Sequence, residues 1–288
     1  MKIGFIGAGR AGCSLGKYFS GKAEQANVSV TGYSSIIEEE ARWAAVFTES
    51  QYFSEPSEVI DASDTIIFST PDGAIKDVWE AIDKERISGK IVCHLSGSLS
   101  SDVFSGVEVC GAYPISIHPM FAFSDKESVY QQLHKVSFTL EGHPYAIKCW
   151  GEILNATGNA FLEIKKEVKA KYHAAASILS NHVIAVLETG YQQLCECGFS
   201  EEEARAFSCV LVQDNVNHVI EQGSVLALTG PIERCDVETV RKHIAVLDDM
   251  SKTLYEECGR KLIDIAKKKH PHQDYTVLEA MLNGAEEL

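Results

Sequence analysis

The sequence predicts an α/β fold: a doubly wound, mostly parallel sheet over residues 1–164, followed by an all-helical domain over residues 165–288. Three observations carry this expectation. Short apolar, β-rich runs alternate with helical patterns through the first half, the glycine-rich loop GAGRAG follows the first of those runs, and no convincing strand occurs after about Ile164. With 288 residues, 45% of them apolar, the chain can fill two cores.

Strands are expected at residues 2–6, 28–33, 65–69, 90–95 and 111–117, because each is a bounded apolar run rich in β-branched or aromatic residues. Helices at 11–19 and 74–82 fall between them, with turn signals at Thr70-Pro71-Asp72-Gly73 and Ser96-Gly97. A strand at 136–140, a helix opening with Pro144 and a strand at 161–164 extend the sheet. Long helical patterns then cover 168–197, 200–222 and 237–269. Gly198-Phe199-Ser200 and Leu228-Thr229-Gly230-Pro231 break them, and Asp236 caps the last.

Charge narrows the partners. The 26 basic against 41 acidic residues give a formal net charge of -15, which repels nucleic acid and anionic lipid. The nine cysteines are odd in number and contain no C-x-x-C, and the opening residues lack the pattern of a secretory leader; a reduced, cytoplasmic, soluble protein is expected. Cys195 and Cys197 lie two residues apart on a helix and so point about 200° away from each other. No His/Cys cluster has metal-ligand spacing, so no metal is expected. No apolar run approaches the roughly 20 residues that cross a bilayer.

GAGRAG places Gly7, Gly9 and Gly12 at G-x-G-x-x-G spacing between a strand and a helix, the context of the Rossmann dinucleotide fingerprint. Gly7 permits the tight turn, Gly9 leaves room for a pyrophosphate, and Gly12 lets helix pack on strand. The helix N-terminus, at Arg10 and Ala11, offers free N–H groups to phosphate. The second strand ends Gly32-Tyr33-Ser34-Ser35 without the carboxylate usual in NAD sites. The Ser34 and Ser35 hydroxyls can donate to a 2'-phosphate and Arg10 or Arg42 can add charge, which favours NADP over NAD; the two serines can equally cap the next helix.

Ligands collect beyond the carboxyl ends of parallel strands, which here read Ser69-Thr70-Pro71-Asp72, His94-Leu95-Ser96-Gly97 and His118-Pro119-Met120-Phe121. Ser69, Thr70 and Pro71 are placed on the cofactor. His118 is the candidate acid/base, since histidine titrates near working pH, and Ser96 can orient its ring or a substrate. The alternative is a histidine that only bonds a loop carbonyl. His134, His143, His270 and His272 lie in polar stretches and belong to the surface. In KYHAAASILSNH, His173, Ser177 and Asn181 form a polar stripe at i, i+4 and i+8; its partners are a substrate, the nicotinamide carboxamide or a helix across a dimer interface. Thr229 in the later helix break is a further substrate candidate.

GAGRAG, STPDGAI, HLSGSLSSDVF, HPMFAF, KYHAAASILSNH and LALTGPIERCD, in that order over nearly the whole chain, resemble the bacterial Rossmann-like proteins that carry C-terminal domain of unknown function 2520. That family is assigned as NADP oxidoreductases by analogy. The layout is more distantly similar to pyrroline-5-carboxylate reductase, ketopantoate reductase, deazaflavin-dependent NADP reductase and the 6-phosphogluconate dehydrogenase group, which implies a helical domain that dimerises. His118-Pro119-Met120 also resembles a segment of prephenate dehydrogenases, which implies His118 as proton acceptor with Ser96 as its assistant. Phe121-Ala122-Phe123 departs from that pattern, where those enzymes place a glycine. Two classes of function follow. One is an NADP-dependent oxidoreductase for a small polar metabolite, with hydride transfer in a cleft between the domains; the other is a dinucleotide-binding redox sensor or structural homodimer without turnover.

Overall fold

The computed structural model describes residues 1–284. Eight strands form: β1 (Lys2–Ile6), β2 (Ser29–Ser34), β3 (Gln51–Tyr52), β4 (Thr65–Phe68), β5 (Ile91–His94), β6 (Tyr113–Pro119), β7 (Phe138–Gly142) and β8 (Phe161–Glu163). They join one sheet in the order β3-β2-β1-β4-β5-β6-β7-β8, parallel throughout except where β7 runs against β6. The chain leaves β1 towards β2 and returns on its other side as β4, so the strand order reverses between β1 and β4.

Helices α1 (Arg10–Ser20), α2 (Ala23–Ala26), α3 (Glu38–Thr48), α4 (Pro56–Ala62), α5 (Asp72–Ala81), α6 (Pro144–Thr157) and α7 (Lys169–Ser177) belong to the same compact unit, Met1–Ser180. The two-residue period of the strands sends alternate side chains to opposite cores. Ile67, Ile91 and Cys93 join Phe5, Phe19, Leu140 and Trp150 in one core. Their neighbours Ile66, Phe68 and Val92 join Val59, Ile75, Trp79 and Phe104 in the other. Both faces are therefore apolar, which is why these strands appear in the sequence as unbroken apolar runs.

The second unit, Asn181–Leu288, is helical in its described residues: α8 (Val183–Glu196), α9 (Glu201–Gln222), α10 (Ser224–Ala227), α11 (Val237–Val246), α12 (Asp249–Lys269) and α13 (Thr276–Leu282). Ser200 starts α9 with a capping box closed by Glu203. The expected helix over 237–269 is two helices. Asp236 caps α11 through the Thr239 N–H (3.1 Å), but Asp248 stops it by accepting from the N–H groups of Met250 and Ser251 (3.0 Å each), which starts α12.

The boundary between units also differs from the expected 164/165. It falls at Ser180/Asn181, inside a π-helical turn (Ile178–His182), because α7 is bonded to the strand ends of the first unit through Lys169 and Tyr172. The last four residues of the expected range 165–288 lie outside the described residues.

Asn159, buried after α6, ties three elements together. Its Oδ1 accepts from the Tyr18 hydroxyl of α1 (2.7 Å), and its Nδ2 donates to the carbonyls of Leu133 (2.7 Å) and Val136 (2.9 Å) ahead of β7. Asn159→Ala removes these three buried hydrogen bonds, and a loss of about 3 kcal/mol in unfolding free energy is expected in denaturant titrations. A loss near zero would show that water satisfies those groups.

Candidate functional site

The glycine loop is fixed by protein contacts as much as it is open to a ligand. Gly7 sits at φ +104, and a Cβ there would lie 2.8 Å from the Ser69 backbone carbon, so the turn requires glycine. A Cβ at Gly12 would lie 2.4 Å from Ser69 Oγ. Ser69 Oγ donates to the Gly7 carbonyl (2.8 Å), so this serine acts on the loop itself. Gly9 differs: its absent Cβ would meet only the Ser69 carbonyl, at an ordinary 3.6 Å, and its open side faces a cavity. The Cys13 N–H is bonded to the Gly9 carbonyl (3.0 Å), which leaves the N–H groups of Arg10, Ala11 and Gly12 without intrahelical acceptors. Behind the loop, the Cys13 thiol donates to the Ala8 carbonyl (3.1 Å), and burial pushes its pKa up to about 12.

That cavity has a volume of about 750 Å³ and lies at the reversal between β1 and β4, among Gly7, Gly9, Ser34, Thr70, Pro71 and Tyr52. Such a volume suits a cofactor-sized ligand. Two hydroxyls in its lining, Ser34 Oγ and Thr70 Oγ1, are buried without a hydrogen-bond partner. Buried polar atoms are normally satisfied, so orphans lining a cavity suit a ligand with hydroxyl or phosphate groups. The other expected contacts have protein partners. Ser35 Oγ accepts from the Ile37 N–H (3.2 Å) in a local turn, and Ile37, not Ser35, is the N-cap of α3. Arg42 Nε donates to Glu38 (2.7 Å) while its guanidinium lies 4.0 Å over the Tyr52 ring. Arg10 donates to the carbonyls of Phe123 (3.3 Å) and Ser124 (3.2 Å).

At the β5 and β6 ends the chemistry converges on His118. Its Nδ1 is 2.7 Å from the Tyr172 hydroxyl of α7, and its ring meets the His173 ring edge-on at 6.0 Å. Gly97 makes room for both rings: a Cβ there would lie 2.8 Å from His118 Nε2 and 2.5 Å from His173 Cδ2. Burial, then the charge of Lys169, lowers the His118 pKa from 6.5 to about 4. The ring is neutral at neutral pH, with one nitrogen to donate and one to accept.

Ser96 is not the partner of His118. Its hydroxyl donates to Asp72 Oδ2 (2.5 Å) and accepts from the Leu99 N–H (3.0 Å), because Asp72 starts α5 directly beside this strand end; Tyr172 takes the place expected of Ser96. Ser98 donates to the same carboxylate oxygen (3.2 Å). His94 is structural: Nδ1 accepts from the Ser96 N–H (3.2 Å), Nε2 pairs with the Ser100 carbonyl (3.2 Å), and burial lowers its pKa to about 4. Of the expected polar stripe, His173 reaches these strand ends. Ser177 is the last residue of α7, and Asn181 and Thr229 belong to the second unit.

Sequence reasoning missed Lys169, Tyr172, Asp72 and Gly97 as site residues. Lys169 is 1% exposed, and its Nζ donates to the Ser96 carbonyl (3.0 Å) and to Ser116 Oγ. Nothing in KKEVKAK separates it from Lys165, Lys166 and Lys171. Asp72 stood in a turn signal, and Tyr172 beside the more conspicuous His173.

Residues 1–119 match the Rossmann-like domain, and residues 136–262 match DUF2520, a domain of unknown function. Among curated proteins none matches the chain. Protein TM1727 from Thermotoga maritima has a similar structure (TM-score 0.71, 23% identity, covering 93% of this chain and 99% of that one). So has an imine reductase from Pseudomonas sp. (TM-score 0.63, 18% identity, 97% and 99%). A third is Plasmodium falciparum pyrroline carboxylate reductase with NADP bound (TM-score 0.60, 16% identity, 93% and 96%). At these identities the likeness is one of fold.

Two outcomes are expected from this geometry. His94 and His118 titrate at about 4 when folded and near 6.5 when unfolded, so between those values the unfolded chain binds more protons and stability falls as pH falls. Urea midpoints measured across this range should drop with acid, and His118→Asn should flatten the slope by about one proton. Gly97→Ala should displace the rings of His118 and His173, read as shifts of both imidazole resonances; unmoved resonances would contradict the packing.

Proposed function

We propose that this chain, which joins a Rossmann-like domain to a DUF2520 domain, is an NADP-dependent oxidoreductase for a small polar metabolite bearing a C=O, C=N or alcohol group. The observation that carries the reading is the cavity at the β1/β4 reversal, with its glycine loop, its free N–H groups and its two orphan hydroxyls. Gly7, Gly9, Gly12, Arg10 and Ala11 would hold the pyrophosphate, with Ser69 fixing the loop and Thr70 and Pro71 closing it. Ser34 and Ser35 are the hydroxyls for a 2'-phosphate. Arg42 can join them, because its ion pair with Glu38 is solvent-exposed and weak. The fold is shared with reductases that carry NADP or NADPH in their own structures.

When bound, the nicotinamide supplies or takes up the hydride. His118 would then give or take the matching proton at Nε2, the ring nitrogen that Tyr172 does not hold, while the Tyr172 hydroxyl meets Nδ1 and fixes the ring. His173 and the Asp72-anchored hydroxyls of Ser96 and Ser98 supply donors and acceptors for the substrate.

The second unit supports a homodimer. Helix α9 exposes Phe207 (77%), Val210 and Leu211 on one side and Val216 and Ile220 (75%) on the other. It extends about 33 Å, and apolar faces of that extent on a water-facing helix mark an interface. A second copy of the chain is the occupant that fits, since obligate homodimer interfaces are large and apolar. Among the described residues no helix is long and apolar enough to cross a membrane, and all nine cysteines are free thiols, which supports a reduced, cytoplasmic setting. A redox sensor or structural dimer without turnover remains the second reading, and the same faces favour it.

Titration with NADPH and then NADH, followed by nicotinamide fluorescence, should give the tighter affinity for NADPH; binding of neither would sink the reading. Gly9→Val should weaken NADPH binding about 100-fold or more, and retained affinity would remove the glycine loop from the site. His118→Ala should abolish turnover with dinucleotide affinity within about two-fold, whereas unchanged turnover excludes His118. Light scattering should report a dimer that Phe207→Glu weakens.

A further inference from the structure

A buried lysine is costly unless its charge is matched, and Lys169 is bonded only to neutral oxygens: the Ser96 carbonyl and the Ser116 hydroxyl. No ion pair to Lys169 is found among the described residues. Methionine would fill the same space without the cost, so the retained charge calls for a use. The groups that interact with it come from several elements: Asp72 on α5, Cys93 and His94 on β5, His118 on β6 and Glu141 on β7, while His173 stands four residues further along its own helix. Glu141 is already held by the N–H and hydroxyl of Ser101 (2.8 Å each).

The position of Lys169 suits an anchor. It occupies the first turn of α7, and Tyr172 and His173 follow at i+3 and i+4, on the same face. Its partner, the Ser96 carbonyl, also accepts from Ser116 Oγ (3.1 Å) and leads directly into the Gly97 turn that seats His118 and His173. One junction therefore sets the register of the helix against the loop.

We propose that Lys169 is the positioning residue of this site: its ammonium, locked beneath the Ser96–Gly97 turn, holds α7 so that the Tyr172 hydroxyl meets His118 Nδ1, and it keeps a fixed positive charge close to the His118 ring. This rests on the reading of His118 given above only for its consequence in turnover. Lys169 acts through the Ser96 carbonyl and the Ser116 hydroxyl that its ammonium holds. Its charge disfavours a second one on His118, so the ring stays neutral and available at Nε2, in agreement with the lowered pKa of His118. Burial lowers the pKa of Lys169 itself from 10.5 to about 8, so the anchor loosens in mild alkali.

The test is an imidazole NMR titration of the cofactor-free protein. In Lys169→Met, which keeps the apolar stem and removes the charge, the His118 midpoint should rise by about one unit or more. An unmoved midpoint overturns the electrostatic role. The wild-type protein offers a measurement independent of any variant's folding: as pH climbs through about 8, the His118 and Tyr172 resonances should shift together. Resonances blind to that transition overturn the anchoring role. Under the oxidoreductase reading, Lys169→Met should also lose about ten-fold or more in kcat with NADPH affinity within about two-fold, and an unchanged kcat separates Lys169 from the chemistry. Failure of the wild type to bind any dinucleotide would defeat the oxidoreductase reading and leave both NMR outcomes standing.

Discussion

The parallel pairing of β1 with β4 is the constraint on which the rest depends. Ile3 to Ile6 pair with Thr65 to Phe68, and because the chain departs from these two strands towards opposite edges, a crevice forms beyond their carboxyl ends. The glycine loop leaves β1 into that gap and the Ser69–Thr70–Pro71 segment leaves β4 into it. A single hydroxyl, Ser69 Oγ, joins them. Without this pairing the two orphan hydroxyls, the free helix N-terminus and the cavity would have no common location.

Much of this was legible in the sequence because the physics is local. Seven of the eight strands fall on spans expected to be strands, and β1 coincides with its expected span at Lys2–Ile6. The missing strand, Gln51–Tyr52, has two residues and no pattern to detect. Gly7 and Gly12 declared themselves by spacing, and the structure gives each a steric reason. The partners of His118 were less legible. A hydrogen bond across 54 residues, from Tyr172 to His118, leaves no periodic trace, and a buried lysine is written with the same letter as its solvated neighbours. Ser96 was found as a strand-end hydroxyl, but its allegiance to Asp72 depends on how two adjacent strands are aligned.

Electrostatics ties the two halves of the site together. The chain carries a net charge of -15, yet the strand ends around His118 enclose one buried cation with no direct ion pair among the described residues and two rings kept neutral by burial. A neutral imidazole with one nitrogen fixed by a phenol has a defined orientation before any ligand arrives, which is the condition for proton transfer without reorganisation. The Asp72 carboxylate, occupied by two serine hydroxyls, shapes the loop without competing for the histidine.

Cys13 has a consequence of its own. Its thiol sits directly behind the glycine loop, bonded to the Ala8 carbonyl, in surroundings that suppress the thiolate. Only the thiolate reacts with alkylating reagents, so this sulfur is chemically silent for as long as the loop keeps its shape. Each transient opening of the loop would expose it for that moment alone. Alkylation of Cys13 would therefore report any opening of this turn, and a ligand that clamps the turn would slow it.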